Sequence, residues 1–163
     1  MNNGLLTLLG VLFLLMAGVI RATETPDTSG ENAALYPVKV QVKELGNRTL
    51  LATVRGHQVI VDQPREFGAD DKGPTPPEML AVSLGACIAA TLQLVAAQRD
   101  IEVNTITVTV EGTIDFSKAL GLSDRNRAGF SGLTAVVDFE SPLDKAGREE
   151  LIGVVAGIGA ALD

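Results

Sequence analysis

Valine at positions 38, 40 and 42 alternates with Lys39, Gln41 and Lys43, and a period of two residues predicts a strand with one buried face. Gly46-Asn47 is a turn signal, followed by a second predicted strand over Leu50–Val54. Arg55-Gly56 then turns the chain into a third strand over Gln58–Asp62. Residues 63–73 are charged and carry no period, which predicts a loop. From about Pro76 to Gln98 the pattern changes: apolar residues fall on every side of a helical wheel, the signature of a helix buried all round. Val103–Phe116 sets Ile106, Val108 and Val110 against intervening threonines. Gly129–Glu140, with Val136, Val137 and Phe139, matches it across a loop at 117–128, and the two predict a pair of long antiparallel strands. Pro142 opens a last helix whose apolar positions are Leu143, Leu151, Val154 and Val155. Three strands, a helix, two strands and a helix predict an α+β domain.

The entry into the long helix is the best-defined local signal. Gly73-Pro74 breaks the preceding loop. Pro76 and Pro77 cost little at the first helical positions, where amides lack intrahelical partners. Thr75 and Glu78 stand three apart, the spacing of a capping box. Three turns further on lies Cys87.

Composition narrows the function classes. The chain has 163 residues, 46% of them hydrophobic, enough for one domain and an appendage. With no Trp, the core must come from Val, Leu, Ile and Ala. A net charge of −7 argues against nucleic acid or an anionic membrane surface as partner. One cysteine and one histidine exclude an intramolecular disulfide and a multi-thiolate metal site. The first 35 residues form the appendage, with residues 1–21 its hydrophobic signal or membrane anchor. Leu5–Ile20 is nearly unbroken apolar sequence, read as an uncleaved membrane anchor or a signal peptide, with an amphipathic start left open. Arg21 is the charge flanking it, which puts the body in the cytoplasm if the segment anchors; export to the periplasm is the alternative. Residues 22–34 read as a polar linker, and the domain occupies 35–163.

Cys87 is the natural candidate for chemistry. A lone cysteine on an apolar helix is ordinarily a small hydrophobe, its pKa raised by burial. Three turns in, it gains little from the helix dipole. Activation would require a cation such as Arg48 or Arg55, each of which alone reads as a solvated strand-edge residue. Glu78 reads first as a cap, although a carboxylate there could also hold an arginine. His57, beside a turn, is expected to be exposed, and Asp70-Asp71 is too sparse for a metal.

The run from Gly73 to Cys87, with the apolar helix continuing through Leu94, resembles the central helix of the OsmC/Ohr family. The likeness extends over most of residues 36–155: the hairpins before the helix, the long strand pair after it, and the Ser141-Pro142 step into the second helix. It is nearest to the OsmC-like branch carrying Gly-Pro-Ser-Pro. The resemblance implies an α+β, OsmC-like fold in which antiparallel sheets wrap a long buried central helix. It also implies an intertwined homodimer with the thiol near the interface, beside a pocket for a lipophilic peroxide. By the same resemblance Cys87 is the peroxide-reacting cysteine, Arg48 the thiolate-stabilising arginine and Glu78 the glutamate that holds the geometry. Glu78 stands nine residues before Cys87, where the hydroperoxide-reducing branch has ten. The family's resolving cysteine, in a Cys-Pro-Val-like step near the end of the last helix, has no counterpart in Gly157–Asp163. That departure reads as a shortened C-terminus. The expected function is a thiol-dependent peroxidase for organic hydroperoxides, with an external thiol as resolver and reductant and with neither cofactor nor metal. The alternative is a non-catalytic protein binding a hydrophobic ligand at the dimer interface.

Overall fold

The computed structural model describes residues 36–125 and 129–159. The apolar segment 1–21 and the linker 22–34 lie outside them. The described chain runs β1 (Val40–Gly46), β2 (Thr49–Val54), β3 (His57–Val61), a single 3-10 turn (Arg65–Phe67), α1 (Pro76–Gln98), β4 (Asn104–Asp115), β5 (Gly129–Glu140) and α2 (Lys145–Gly159). β1, β2 and β3 form an antiparallel sheet in that order, and β4 pairs with β5 in a second. The α+β class and the antiparallel sheets are as the pattern predicts.

α1 starts and stops for local reasons. Thr75 is extended and its hydroxyl accepts from the Glu78 amide, while the Glu78 carboxylate accepts from the Thr75 amide at 2.7 Å, closing the predicted capping box with Pro76 and Pro77 behind it. At the other end Asp100 turns left-handed at φ 54°. The Ile101 amide then reaches back to the Ala96 carbonyl at 2.9 Å and the Asp100 amide to that of Ala97 at 3.3 Å, the bond pattern of a Schellman stop. α2 begins three residues later than its proline suggested. The Asp144 side chain accepts from the Gly147 amide at 2.9 Å and caps the helix, leaving Pro142 in the preceding turn, where the Ser141 hydroxyl accepts from Leu143.

The core lies between α1, α2 and the β4–β5 pair. Leu92, Val95, Phe139, Leu151 and Val155 are buried, with Ile88, Ile106 and Val137 packed around them. Gly85 lets α1 press on β4: a Cβ there would stand 3.3 Å from Val110. Arg148 closes the corner between β5 and α2. Its guanidinium donates to the carbonyls of Phe139 (2.6 Å), Ser141 (3.1 Å) and Leu143 (3.3 Å) and lies over the Phe139 ring at 5.0 Å.

The described residues leave two surfaces uncovered. The buried residues of α1 are Gly85, Leu92, Val95 and Ala96. Leu80, Val82 and Leu94 are more than half exposed. The all-round burial expected from composition is therefore met on one flank only, because β4, β5 and α2 cover just that flank. The three-stranded sheet has no extensive packing onto α1, α2, β4 or β5. Its register puts Val40 opposite Val54, Val42 opposite Ala52, Ala52 opposite Val59 and Leu50 opposite Val61. Those side chains share one apolar face, on which Val40, Val42 and Val59 are exposed.

Candidate functional site

Cys87 is exposed in the protomer rather than sealed in the core. It looks into a pocket of about 410 Å³ whose walls are Leu84, Ile88 and Thr91 of α1, Val137 of β5, and Ile152 and Ala156 of α2. Among the described residues the lining is apolar apart from the thiol and the Thr91 hydroxyl. α2 reaches the pocket with its last turn, through Ala156 and Gly159, and neither can supply a second thiol. Residues 160–163, the rest of the region where a resolving cysteine was sought, fall outside the described residues.

Glu78 lies on a different surface. It sits with Ala81, Val82, Gly85, Val108 and Val110 in an open groove of about 520 Å³ between α1 and β4. The spacing explains this, since nine residues of helix rotate a side chain through about 180° and move it about 13.5 Å along the axis. Two hydrogen bonds from Thr75, first its amide and then its hydroxyl, hold the Glu78 carboxyl below its ordinary value of 4.5. In the protomer Glu78 is a helix cap facing away from the thiol.

Arg48 lies outside both pockets. Asn47 and Arg48 form the two-residue turn between β1 and β2, with φ of 48° and 66°. The left-handed region at both central positions is the geometry that twists with a hairpin, and the second of them favours glycine. Arg48 holds this region without a glycine, as Arg55 does at the next turn with φ 57°. The Arg48 Nη1 donates to the Phe67 carbonyl in the 3-10 turn. Arg55 and His57, at the next turn, are exposed as expected.

Around Arg48 stands a polar cluster that no motif announced. Asp62, only 1% exposed, follows β3 directly. Its Oδ2 accepts from the Lys72 amide at 2.9 Å and its Oδ1 from the buried Thr49 hydroxyl at 3.4 Å. Its own amide donates to the Pro74 carbonyl at 3.0 Å, and the Asp71 amide to Gln63 at 3.2 Å, closing loop 63–71 at its base. The Lys72 amide is the largest influence holding the Asp62 carboxyl below its ordinary value; burial opposes it. Asp70 accepts from Asn47 at 2.8 Å and from the Lys72 ammonium at 2.6 Å. Gly73 then passes so near β3 that a Cβ would lie 2.3 Å from the Ile60 carbonyl, so the position admits only glycine. The one sequence cue to the cluster was an acid ending the apolar run Val59-Ile60-Val61. No group of acidic, histidine or cysteine side chains among the described residues could hold a metal.

Residues 69–156 match the family described as OsmC-like protein. Solved structures share the fold. An OsmC-like protein from Mycoplasma pneumoniae superposes with a TM-score of 0.65 at 20% identity, over 74% of this chain and 81% of that one. An organic hydroperoxide resistance protein OsmC from Legionella pneumophila gives 0.55 at 19%, over 77% and 86%. The organic hydroperoxide resistance protein OhrB of Bacillus subtilis gives 0.52 at 25%, over 77% and 87%. Comparison with curated protein sequences gave no match.

Proposed function

The chain belongs to the OsmC-like family, and we propose that it is a thiol-dependent peroxidase for organic hydroperoxides with Cys87 as its nucleophile. The observation that carries this reading is the placement of the sole thiol: exposed, on the wall of an apolar pocket of about 410 Å³. The thiolate sulfur attacks the distal oxygen of ROOH, an S–O bond forms as the O–O bond breaks, and the alkoxide leaves with a proton as ROH. Cys87 is then a sulfenic acid. With no second cysteine in the sequence, an external thiol condenses with it, releasing water and leaving a mixed disulfide. A second thiol reduces that disulfide and restores Cys87. One hydroperoxide and two thiols give one alcohol, one disulfide and one water.

The protein works as a homodimer. A second copy covers the open face of β1–β3 and the bare flank of α1, and brings the Arg48 hairpin to the thiol across the subunit boundary. There the guanidinium stabilises the thiolate. The uncovered Val40, Val42, Leu80 and Val82 support this assembly. Glu78 serves this reading as the cap that starts the helix carrying Cys87.

The test is to treat the full chain with stoichiometric cumene hydroperoxide and trap sulfenic acid with dimedone. The expected result is an adduct on Cys87, absent from Cys87→Ala, and turnover when a dithiol is added. No adduct would refute the peroxidase reading. It would leave the non-catalytic binder, a reading favoured by the lack of any cation or carboxylate among the described residues lining the Cys87 pocket.

A further inference from the structure

We infer that Asp62 is a positioning residue for Arg48, holding both the backbone root of that arginine and the loop that carries its hydrogen-bond acceptor. The inference rests on the reading that Arg48 stabilises the Cys87 thiolate, and it adds what sets the arginine in place.

The geometry runs through three connections. Asp62 Oδ1 takes the hydroxyl of Thr49, the residue directly after Arg48, and Thr49 is itself buried at 4% exposure. Asp62 Oδ2 takes the Lys72 amide, and the Asp62 amide reaches Pro74, so both strands of the base of loop 63–71 converge on one residue. Phe67, inside that loop, offers the carbonyl that receives the Arg48 guanidinium. Loss of the carboxylate therefore frees Arg48 at both ends: the turn from which it projects, and the loop against which it is held. A purely apolar residue at 62 would leave the buried Thr49 hydroxyl without its partner and the half-buried Lys72 amide without its acceptor, which is costly for the former. The outer ties, Asn47 and Lys72 to Asp70, are more exposed and back up the same arrangement.

Because Cys87 is the sole cysteine, the pH profile of alkylation of the full chain by iodoacetamide reads one thiol. The expected result is that Arg48→Ala moves the profile up by about one pH unit. Asp62→Ala should move it the same way, Asp62→Asn less, and the Arg48→Ala/Asp62→Ala double variant no further than Arg48→Ala alone. A residue acting only on stability would add its effect to that of Arg48 instead of vanishing behind it. If Asp62→Ala does not fold, Thr49→Val, which removes a single hydroxyl, gives a smaller shift in the same direction. A shift with Arg48→Ala and none with Asp62→Asn, Asp62→Ala or Thr49→Val overturns the positioning role and leaves the Arg48 reading standing. No shift with Arg48→Ala overturns that reading, and the positioning role with it. An additive double variant overturns the positioning role alone.

Discussion

The two halves of the domain solve the burial problem in opposite ways. α1, α2, β4 and β5 enclose a core of their own, in which Leu92 is fully buried and Leu151 is 1% exposed. β1, β2 and β3 turn an apolar face outward and are held to the rest of the chain chiefly by polar ties at one corner, through Asp62, Lys72 and Pro74. The first half has the cohesion of a folded unit. The second has an apolar face of which the described residues bury only Val61, leaving Val40, Val42 and Val59 exposed. A hydrophobic face that persists uncovered on a protomer marks an interaction surface. The proposed site spans the difference as well: the thiol sits on the half with the closed core and the arginine on the open sheet.

The largest test of this contrast is Leu92→Ala. A cavity in the one closed core should cost about 2–5 kcal/mol in urea unfolding, whereas a comparable truncation such as Val42→Ala should cost far less in a dilute, monomeric sample. Equal costs would erase the distinction between the halves. Next comes Val42→Asp, which puts a charge on the open sheet face. Sedimentation should show the wild-type chain dimeric at micromolar concentration and this variant monomeric, with the core half still folded by circular dichroism. A wild-type chain that stays monomeric would break the comparison at its centre. Arg148→Met removes three carbonyl bonds at the β5–α2 corner. Thermal unfolding should register a loss of about 1–3 kcal/mol in the core half, with dimer formation unaffected.

The smallest effect is electrostatic. The Glu78 carboxyl is held below 4.5 by Thr75, so its contribution is present above that value and is lost as pH falls through the depressed folded value. Glu78→Gln should therefore lower the melting temperature at pH 7 and converge with wild type once pH falls below the depressed folded value. A constant gap between them would show that the carboxylate charge plays no part in capping.

Much of the fold was legible because its signals are local. Valine alternation, the Thr75–Glu78 box and the paired prolines act within a turn or a strand, and each element formed within a few residues of its expected place. α2 departed from expectation because Asp144 offered a better cap than Pro142. The site was less legible. Arg48, Glu78 and Cys87 were named by resemblance, and the fold sets the three on separate surfaces of one protomer. Asp62 and Arg148 carry no period and no motif; their partners are 10 and 13 residues away for Asp62, and 5, 7 and 9 for Arg148.

The sequence by itself determined the strands, the helices and their ends, because caps, turns and periodicity are paid out between near neighbours. It also determined that one thiol is available and that a second is not present. Only the tertiary structure decided that α1 is covered on one flank, that Cys87 faces a pocket while Glu78 faces away, and that a buried carboxylate ties the Arg48 turn to the start of the helix. Those outcomes depend on which surfaces of distant segments meet. Composition can say that a helix is apolar all round, but only packing says which of its sides the same chain has covered.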